Sequence, residues 1–129
     1  MEFKLLKDFR SLEAWQKAFS LAASVYTVTA RFPASEAYGL SLQLRRCAVS
    51  VASNIAEGSK RRTTKDFVKF LFIARGSLAE METQMLLAGE VGLIANIGGH
   101  LEAINEVGRL LNGLIRGLTR KTAAGEART

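Results

Sequence analysis

The spacing of apolar residues in the middle of the chain constrains the fold more than any other feature of the sequence. Apolar residues there recur at alternating intervals of three and four, which places them along one side of an α-helix. They are Phe67, Leu71, Ala74, Leu78, Met81, Met85 and Ala88. Thr63 and Asp66 form the pattern of a capping box and predict where this helix begins. The sequence therefore predicts a long amphipathic helix in this region.

Three further segments show the same spacing. The first is predicted to begin at Ser11 and to end before Pro33, with an apolar side of Leu12, Trp15, Phe19, Ala22, Tyr26 and Thr29. The second begins near Ser35, carries Leu40, Leu44, Cys47, Val51 and then Asn54 or Ile55, and is predicted to end with Gly58 in the left-handed conformation. The last follows the glycine-rich stretch 89–99 and carries Leu101, Ile104, Val107 or Gly108, Leu111, Leu114 or Ile115, and Leu118.

Four amphipathic helices with short connections predict an all-α protein, an antiparallel up-down-up-down four-helix bundle. A chain of 129 residues fits a single domain, residues 1–129. Residues 1–10 are predicted to form an N-terminal arm, and residues 120–129 a frayed C-terminal tail. Phe70, Phe72 and Ile73 flank the long apolar stripe, and this surplus of apolar surface indicates a contact with another subunit.

The composition excludes several classes of protein. One cysteine cannot form an internal disulfide, and the charged N-terminus lacks the apolar stretch of a secretory signal. The longest uncharged run, residues 18–30, is too short to span a membrane. We therefore expect a cytoplasmic protein that is not inserted in a membrane.

Residues that could carry catalysis or bind a metal are few. His100 is the only histidine, and no glutamate lies three residues before it, as the ligand motif of di-iron bundles requires. Zinc sites need more cysteine and histidine, and the chain has no glycine-rich phosphate loop. Cys47 lies on the predicted core side of the second helix, where a buried apolar role is expected. We expect a non-enzyme with no metal and no cofactor.

Positive charge is concentrated in one segment of the chain. The net charge is +6, and residues 57–75 hold six basic and two acidic side chains. An antiparallel bundle brings the end of the second helix, the start of the third and the end of the fourth to one pole, which we name the basic pole. Candidate nucleic-acid-binding residues there are Lys60, Arg61, Arg62, Lys65 and Lys69, supported by Arg120 and Lys121. Glu36, Glu90, Glu102 and Glu106 collect at the opposite pole.

The alternative interpretation of this charge is a solvated surface that serves solubility. Phe3, Phe9 and Phe67 lie near the basic pole, and Phe67 is predicted to be in the core. The sequence indicates no interleaved aromatic platform of the kind that stacks single-stranded bases.

Five polar residues near the predicted helix seams have open roles: Arg45, Arg46, Asn54, Glu57 and Arg75. Asn54 continues the stripe of the second helix, so it could fix helix register or cap the helix end. For Glu57 we favour a role in capping the backbone. The three arginines fit ion pairs with Glu57 or Glu80, a subunit interface, or phosphate contacts equally well.

Several blocks of sequence resemble a known bacterial family. The blocks are LEAWQKA at 12–18, YGL at 38–40, QLRR at 43–46, SNIAEG at 53–58, FL at 70–71 and ARGS at 74–77. They resemble the four-helix-bundle family named for proteins encoded in intervening sequences of 23S ribosomal RNA genes, over about residues 8–118. The chain is also similar to the accessory variability protein of diversity-generating retroelements, which shares this fold.

The resemblance implies a homopentameric ring of four-helix bundles. In the retroelement branch it also implies a basic surface that binds nucleic acid and a partner reverse transcriptase. The chain departs from the family at Ala52, where the family often has proline, and the second helix is therefore expected to be straighter.

Two functions from different classes follow. The first is a non-catalytic oligomeric bundle that binds nucleic acid, RNA or a ribonucleoprotein, through its basic surface. The second is a protein-interaction scaffold, for example a reverse-transcriptase accessory protein, for which nucleic-acid affinity is incidental. A small-molecule-binding bundle is a third alternative.

Overall fold

The structure is a computed structural model that describes residues 8–128, with side chains through residue 124. Its four helices are α1 (Glu13–Thr29), α2 (Leu40–Ser59), α3 (Thr64–Glu90) and α4 (Gly98–Arg128), with short 3₁₀ turns at Phe9–Ser11 and Ala34–Glu36. Each helix packs against the next, and α4 packs back against α1. The described residues contain no strand. The all-α four-helix bundle predicted from the sequence is confirmed.

The core sides of α2, α3 and α4 agree with the predicted stripes. The largest fully buried side chains of these helices are Leu44, Val51, Ile55, Leu71, Met81, Met85, Ile104, Val107 and Leu111. Thr63 caps α3 as predicted, because its Oγ1 accepts a hydrogen bond of 3.1 Å from the Asp66 backbone N–H. The helix α2 continues without interruption through Ala52.

The predicted core side of α1 is correct only in part: Thr29 is buried and Leu12, Trp15 and Ala22 pack against the core. Its buried residues are Ala14, Ala18, Leu21, Val25 and Thr29. Phe19 and Tyr26, predicted in the core, are 56% and 46% exposed. The helix carries two neighbouring stripes. The one with the small residues Ala14 and Ala18 allows a close approach to the neighbouring helices, so Phe19 and Tyr26 lie outside. The helix also begins at Glu13, and Ser11 lies in the preceding 3₁₀ turn.

The predicted left-handed conformation of Gly58 is also wrong. Among the described residues positive φ occurs at Gly92, and Gly58 is a helical residue that precedes the last residue of α2. A Cβ added to Gly58 would lie 2.7 Å from Phe70 Cβ and 2.9 Å from Phe67 Cδ1. The residue is therefore needed for the close approach of α2 to α3, not for a cap.

The ends of the chain differ in part from expectation. Helix α4 continues to Arg128, so fraying from residue 120 is not seen. Alanines at 123 and 124 favour a helix, and no proline follows Pro33 to end it. Residues 1–7 of the predicted arm, and Thr129, lie outside the described residues. No helix within residues 8–128 is long and apolar enough to cross a membrane.

Candidate nucleic-acid interface

The basic turn, defined as Lys60, Arg61, Arg62, Lys65 and Lys69, joins α2 to α3 at one end of the bundle. All five side chains are exposed. The connection between Ser59 and Thr64 is four residues long, so the cations at its two ends stay close together. The turn therefore presents five cationic side chains to solvent.

Two of these cations are held by neighbouring side chains. The Arg61 Nη2 donates to Glu57 Oε2 at 2.6 Å, and its guanidinium lies 4.5 Å from the centre of the Phe70 ring. Lys60 Nζ lies 5.6 Å from the centre of the Phe9 ring. The favoured backbone-capping role of Glu57 is thus wrong, because its carboxylate pairs with Arg61. Lys60 and Arg61 therefore stabilise the conformation of the turn as well as contributing positive charge to it.

The other three cations of the basic turn are not paired with other described side chains. Within residues 8–128, Arg62, Lys65 and Lys69 make no ion pair and no side-chain hydrogen bond. Lys65 and Lys69 are four residues apart on α3, so they lie one above the other on the same helix face. Three exposed cations without counter-ions are available to an anionic ligand.

Arg120 and Lys121 lie on α4 near its end and are exposed. The antiparallel order of the helices places the end of α4 at the same pole as the basic turn. In the described part of the chain no hydrogen bond or ion pair joins these two residues to the turn. Among the described residues, Arg120 and Lys121 thus lie at the same end of the bundle as the basic turn without contacting it through a hydrogen bond or an ion pair.

Two of the three arginines with open roles connect helices. Arg45 Nε donates to Thr29 Oγ1 at 2.8 Å, and its guanidinium lies 4.5 Å from the Tyr26 ring centre. Arg75 Nη1 donates to Asn112 Oδ1 at 3.1 Å. The ion pairs with glutamate considered for these arginines do not form. Arg46 is exposed and makes no ion pair with any described residue.

Asn54 contributes to a polar link between α2 and α3. Its Nδ2 donates to the Ser50 carbonyl at 2.8 Å and to Ser50 Oγ at 3.0 Å. Ser50 Oγ in turn shares a hydrogen bond of 2.8 Å with Ser77 Oγ. Asn54 therefore supports a contact across the helix seam and does not cap the end of α2.

An aromatic row, which the sequence analysis did not predict, lies beside the basic turn. We define the row as Phe9, Trp15 and Phe19. The ring centres of Phe9 and Trp15 are 5.1 Å apart at an edge-on angle of 65°. Trp15 and Phe19 are stacked, with ring centres 4.9 Å apart and planes inclined by 25°. The i,i+4 spacing of Trp15 and Phe19 indicates that their rings can meet on one helix face. The sequence pattern assigns both residues to the core and so does not predict the row.

Cys47 is buried in the core, as the sequence predicts. Burial raises the pKa of its thiol above the ordinary value, although a hydrogen bond of 3.5 Å from Gln84 Nε2 acts in the opposite direction. The raised pKa keeps the thiol protonated at neutral pH. At the 3₁₀ turn, Arg10 lowers the pKa of the Asp8 carboxyl by hydrogen bonding to it. Residues 8–128 contain no group of three or more acidic, histidine or cysteine side chains that could hold a metal ion.

These features define a small all-α protein, a four-helix bundle with a basic turn at one end and an aromatic row beside it. The chain belongs to the family of 23S rRNA-intervening sequence proteins, whose family model matches residues 10–113. A search of curated proteins found no match. The family resemblance read from the sequence blocks is thus confirmed.

Proposed function

We propose that the protein is a non-catalytic bundle that binds nucleic acid through the phosphate contacts of its basic turn. The observation that carries the proposal is the set of three exposed cations, Arg62, Lys65 and Lys69, without partners among residues 8–128. Cations that lack intramolecular counter-ions lose no ion pair when they contact phosphate. The overall charge of +6 favours association with a polyanion.

The contact would be weak for one copy and sensitive to salt. Each phosphate neutralised on a duplex changes the logarithmic salt slope by about 0.9. Three contacts from a single bundle therefore give a modest affinity at physiological salt. Several linked copies would raise the apparent affinity by avidity, without any new contact.

RNA is the nucleic acid to test first. The family name refers to an intervening sequence of 23S ribosomal RNA, which supports an RNA context but names no ligand. Phosphate contacts position a ligand without reading its bases, so discrimination would come from the shape of the RNA.

The test reverses charge where the fold does not depend on it. In the double variant Arg62→Glu with Lys65→Glu, we expect weaker binding to a structured RNA and a salt slope reduced by about two. Lys60 and Arg61 are left intact because Phe9, Glu57 and Phe70 contact them. Fluorescence anisotropy across a sodium chloride series measures both quantities.

The matched control is Arg31→Glu with Arg46→Glu, two exposed arginines outside the basic turn. It makes the same change in net charge, so a general electrostatic effect would weaken binding equally in both doubles. Equal losses, or full affinity in the Arg62 and Lys65 double, would refute the assignment of the site.

A second candidate function is an interaction scaffold that self-associates. It is favoured by the outer stripe, the exposed apolar surface of α3 formed by Phe72, Ile73, Leu86 and Leu87. A second copy of the chain could cover it, and the family resemblance leads us to propose a homo-oligomer, with a pentamer as the expected size. If the function is a protein scaffold, charge reversal at the basic turn leaves the partner protein bound at physiological salt.

A further inference from the structure

We infer that the aromatic row binds an unpaired base, so that the preferred ligand is nucleic acid with a single-stranded segment beside the phosphates held by the basic turn. This inference rests on the proposed function and narrows its ligand class. It makes the row and the turn two parts of one binding surface.

The geometry of the row leaves one aromatic face open. Trp15 and Phe19 are nearly parallel, at 25°, with ring centres 4.9 Å apart. Phe19 is 56% exposed although one side of its ring is against Trp15. The exposed area therefore belongs to the opposite face and the edges, where a flat base could extend the stack by one layer.

Phe19 lies on the solvent side of α1, whereas Trp15, its stacking partner, is partly buried and packs against the core. Ala14, Ala18 and Leu21 face the bundle interior and are almost fully buried. Tyr26, on the same helix, differs from Phe19 because the Arg45 guanidinium lies 4.5 Å from its ring centre. Among the described residues no cation lies over Phe19.

The charge around the row is of the right sign for a nucleic acid. Lys60 Nζ lies 5.6 Å from the Phe9 ring centre. The Arg10 guanidinium carbon lies 5.9 Å from that centre and is paired with Asp8, with Arg10 Nε 3.1 Å from Asp8 Oδ1. Lys60 belongs to the basic turn and has no ion pair with a described residue, so the turn reaches the Phe9 end of the row. Proteins that bind single strands combine these two elements, a cationic path for phosphates and aromatic rings for bases.

The experiment compares a short single-stranded RNA with a hairpin duplex of equal length, both measured by fluorescence anisotropy at one salt concentration. The wild-type protein is expected to prefer the single strand. Phe19→Leu, which removes the ring but keeps an apolar side chain, is expected to lower affinity for the single strand about tenfold, within the range for one stacked base. Its affinity for the duplex should not change.

The control is Tyr38→Leu, which removes an exposed ring, 92% exposed, from the end of the bundle opposite the basic turn. It should leave the affinity for both RNAs unchanged. A single strand that contains 2-aminopurine adds a direct signature, because stacking on Phe19 should quench the fluorescence of this base in the wild type and not in Phe19→Leu.

Three results would overturn the inference. If the wild type does not prefer the single strand, and Phe19→Leu binds both RNAs as tightly as the wild type does, the row has no role in binding. The proposed function still stands in that case if the Arg62 and Lys65 double variant loses affinity. If the wild type binds neither RNA at physiological salt, both the inference and the proposed function fail. If Phe19→Leu lowers the molecular mass in solution, the row is a contact between copies of the chain.

Discussion

Glycine has opposite roles at two positions in adjacent helices. At Gly58 of α2, the missing side chain makes room for Phe67 and Phe70 of α3. At Gly76 of α3, an added Cβ would meet no atom within 4 Å. The close approach of the two helices within one bundle therefore lies at Gly58 and not at Gly76.

Replacing Gly58 should destabilise the fold. In Gly58→Ala the new Cβ would lie 2.7 Å from Phe70 Cβ, so α2 and α3 would have to move apart. We expect a loss of about 2 kcal/mol in the free energy of unfolding, within the range measured for overpacked cores. Urea denaturation followed by circular dichroism measures it.

The control is Gly76→Ala, the same change in a helix interior with open space around it. Alanine has a higher helix propensity than glycine by up to about 1 kcal/mol, so this variant should be as stable as the wild type or more so. Equal destabilisation by both substitutions would show that Gly58 has no special packing role.

At the scale of the helices, the sequence predicts where the helices lie along the chain better than it predicts which side of each helix is buried. On α2, α3 and α4 the predicted apolar stripe is the buried side, although α3 also carries the exposed outer stripe. On α1 an aromatic stripe competes with an alanine stripe, and local spacing contains no information about which one the neighbours accept. The basic turn could be predicted because its residues are contiguous in the sequence. The aromatic row could not, because it depends on the orientation of α1.

The outer stripe of α3 leads to a prediction about assembly. Ile73 is 53% exposed, and a charge placed there would be buried without a partner if another copy covers it. We expect wild-type protein to have a molecular mass that is a multiple of 14.1 kDa, and Ile73→Glu to approach the monomer value. Multi-angle light scattering measures this directly.

Val49→Glu is the control, because Val49 is an apolar residue of α2 with comparable exposure, 44%. It should keep the mass of the wild type. A monomeric wild type, or an Ile73→Glu variant with unchanged mass, would rule out self-association through the outer stripe.

At the scale of the whole molecule, charge is distributed unevenly along the bundle. Arg62, Lys65 and Lys69 lie at the basic pole without counter-ions in the described chain. Glu36, at the opposite pole, accepts a hydrogen bond of 3.0 Å from the Leu40 backbone N–H, and Lys17 Nζ lies 3.9 Å from Glu106 Oε2. Because the net charge is +6, we expect like-charge repulsion to be strongest at the basic pole.

This distribution predicts that salt stabilises the protein. Sodium chloride screens the repulsion among the cations, so raising it to physiological strength should increase Tm by roughly 2–4 °C, the effect of a fraction of a kcal/mol in a domain of this size. Differential scanning fluorimetry measures the shift. The double variant Arg62→Glu with Lys65→Glu should show a smaller increase. A Tm that falls with salt, or rises equally in both proteins, would contradict this account.

The close contact at Gly58 also bears on the order in which the chain folds. Helices α2 and α3 share the most extensive contact in the bundle and are joined by a connection of four residues. A short loop costs little entropy to close, so this helix pair is the natural folding nucleus, on which α1 and α4 then dock. Gly58→Ala should therefore slow refolding more than it speeds unfolding, which stopped-flow kinetics can distinguish. The segment with the densest positive charge would be among the first to acquire its native conformation.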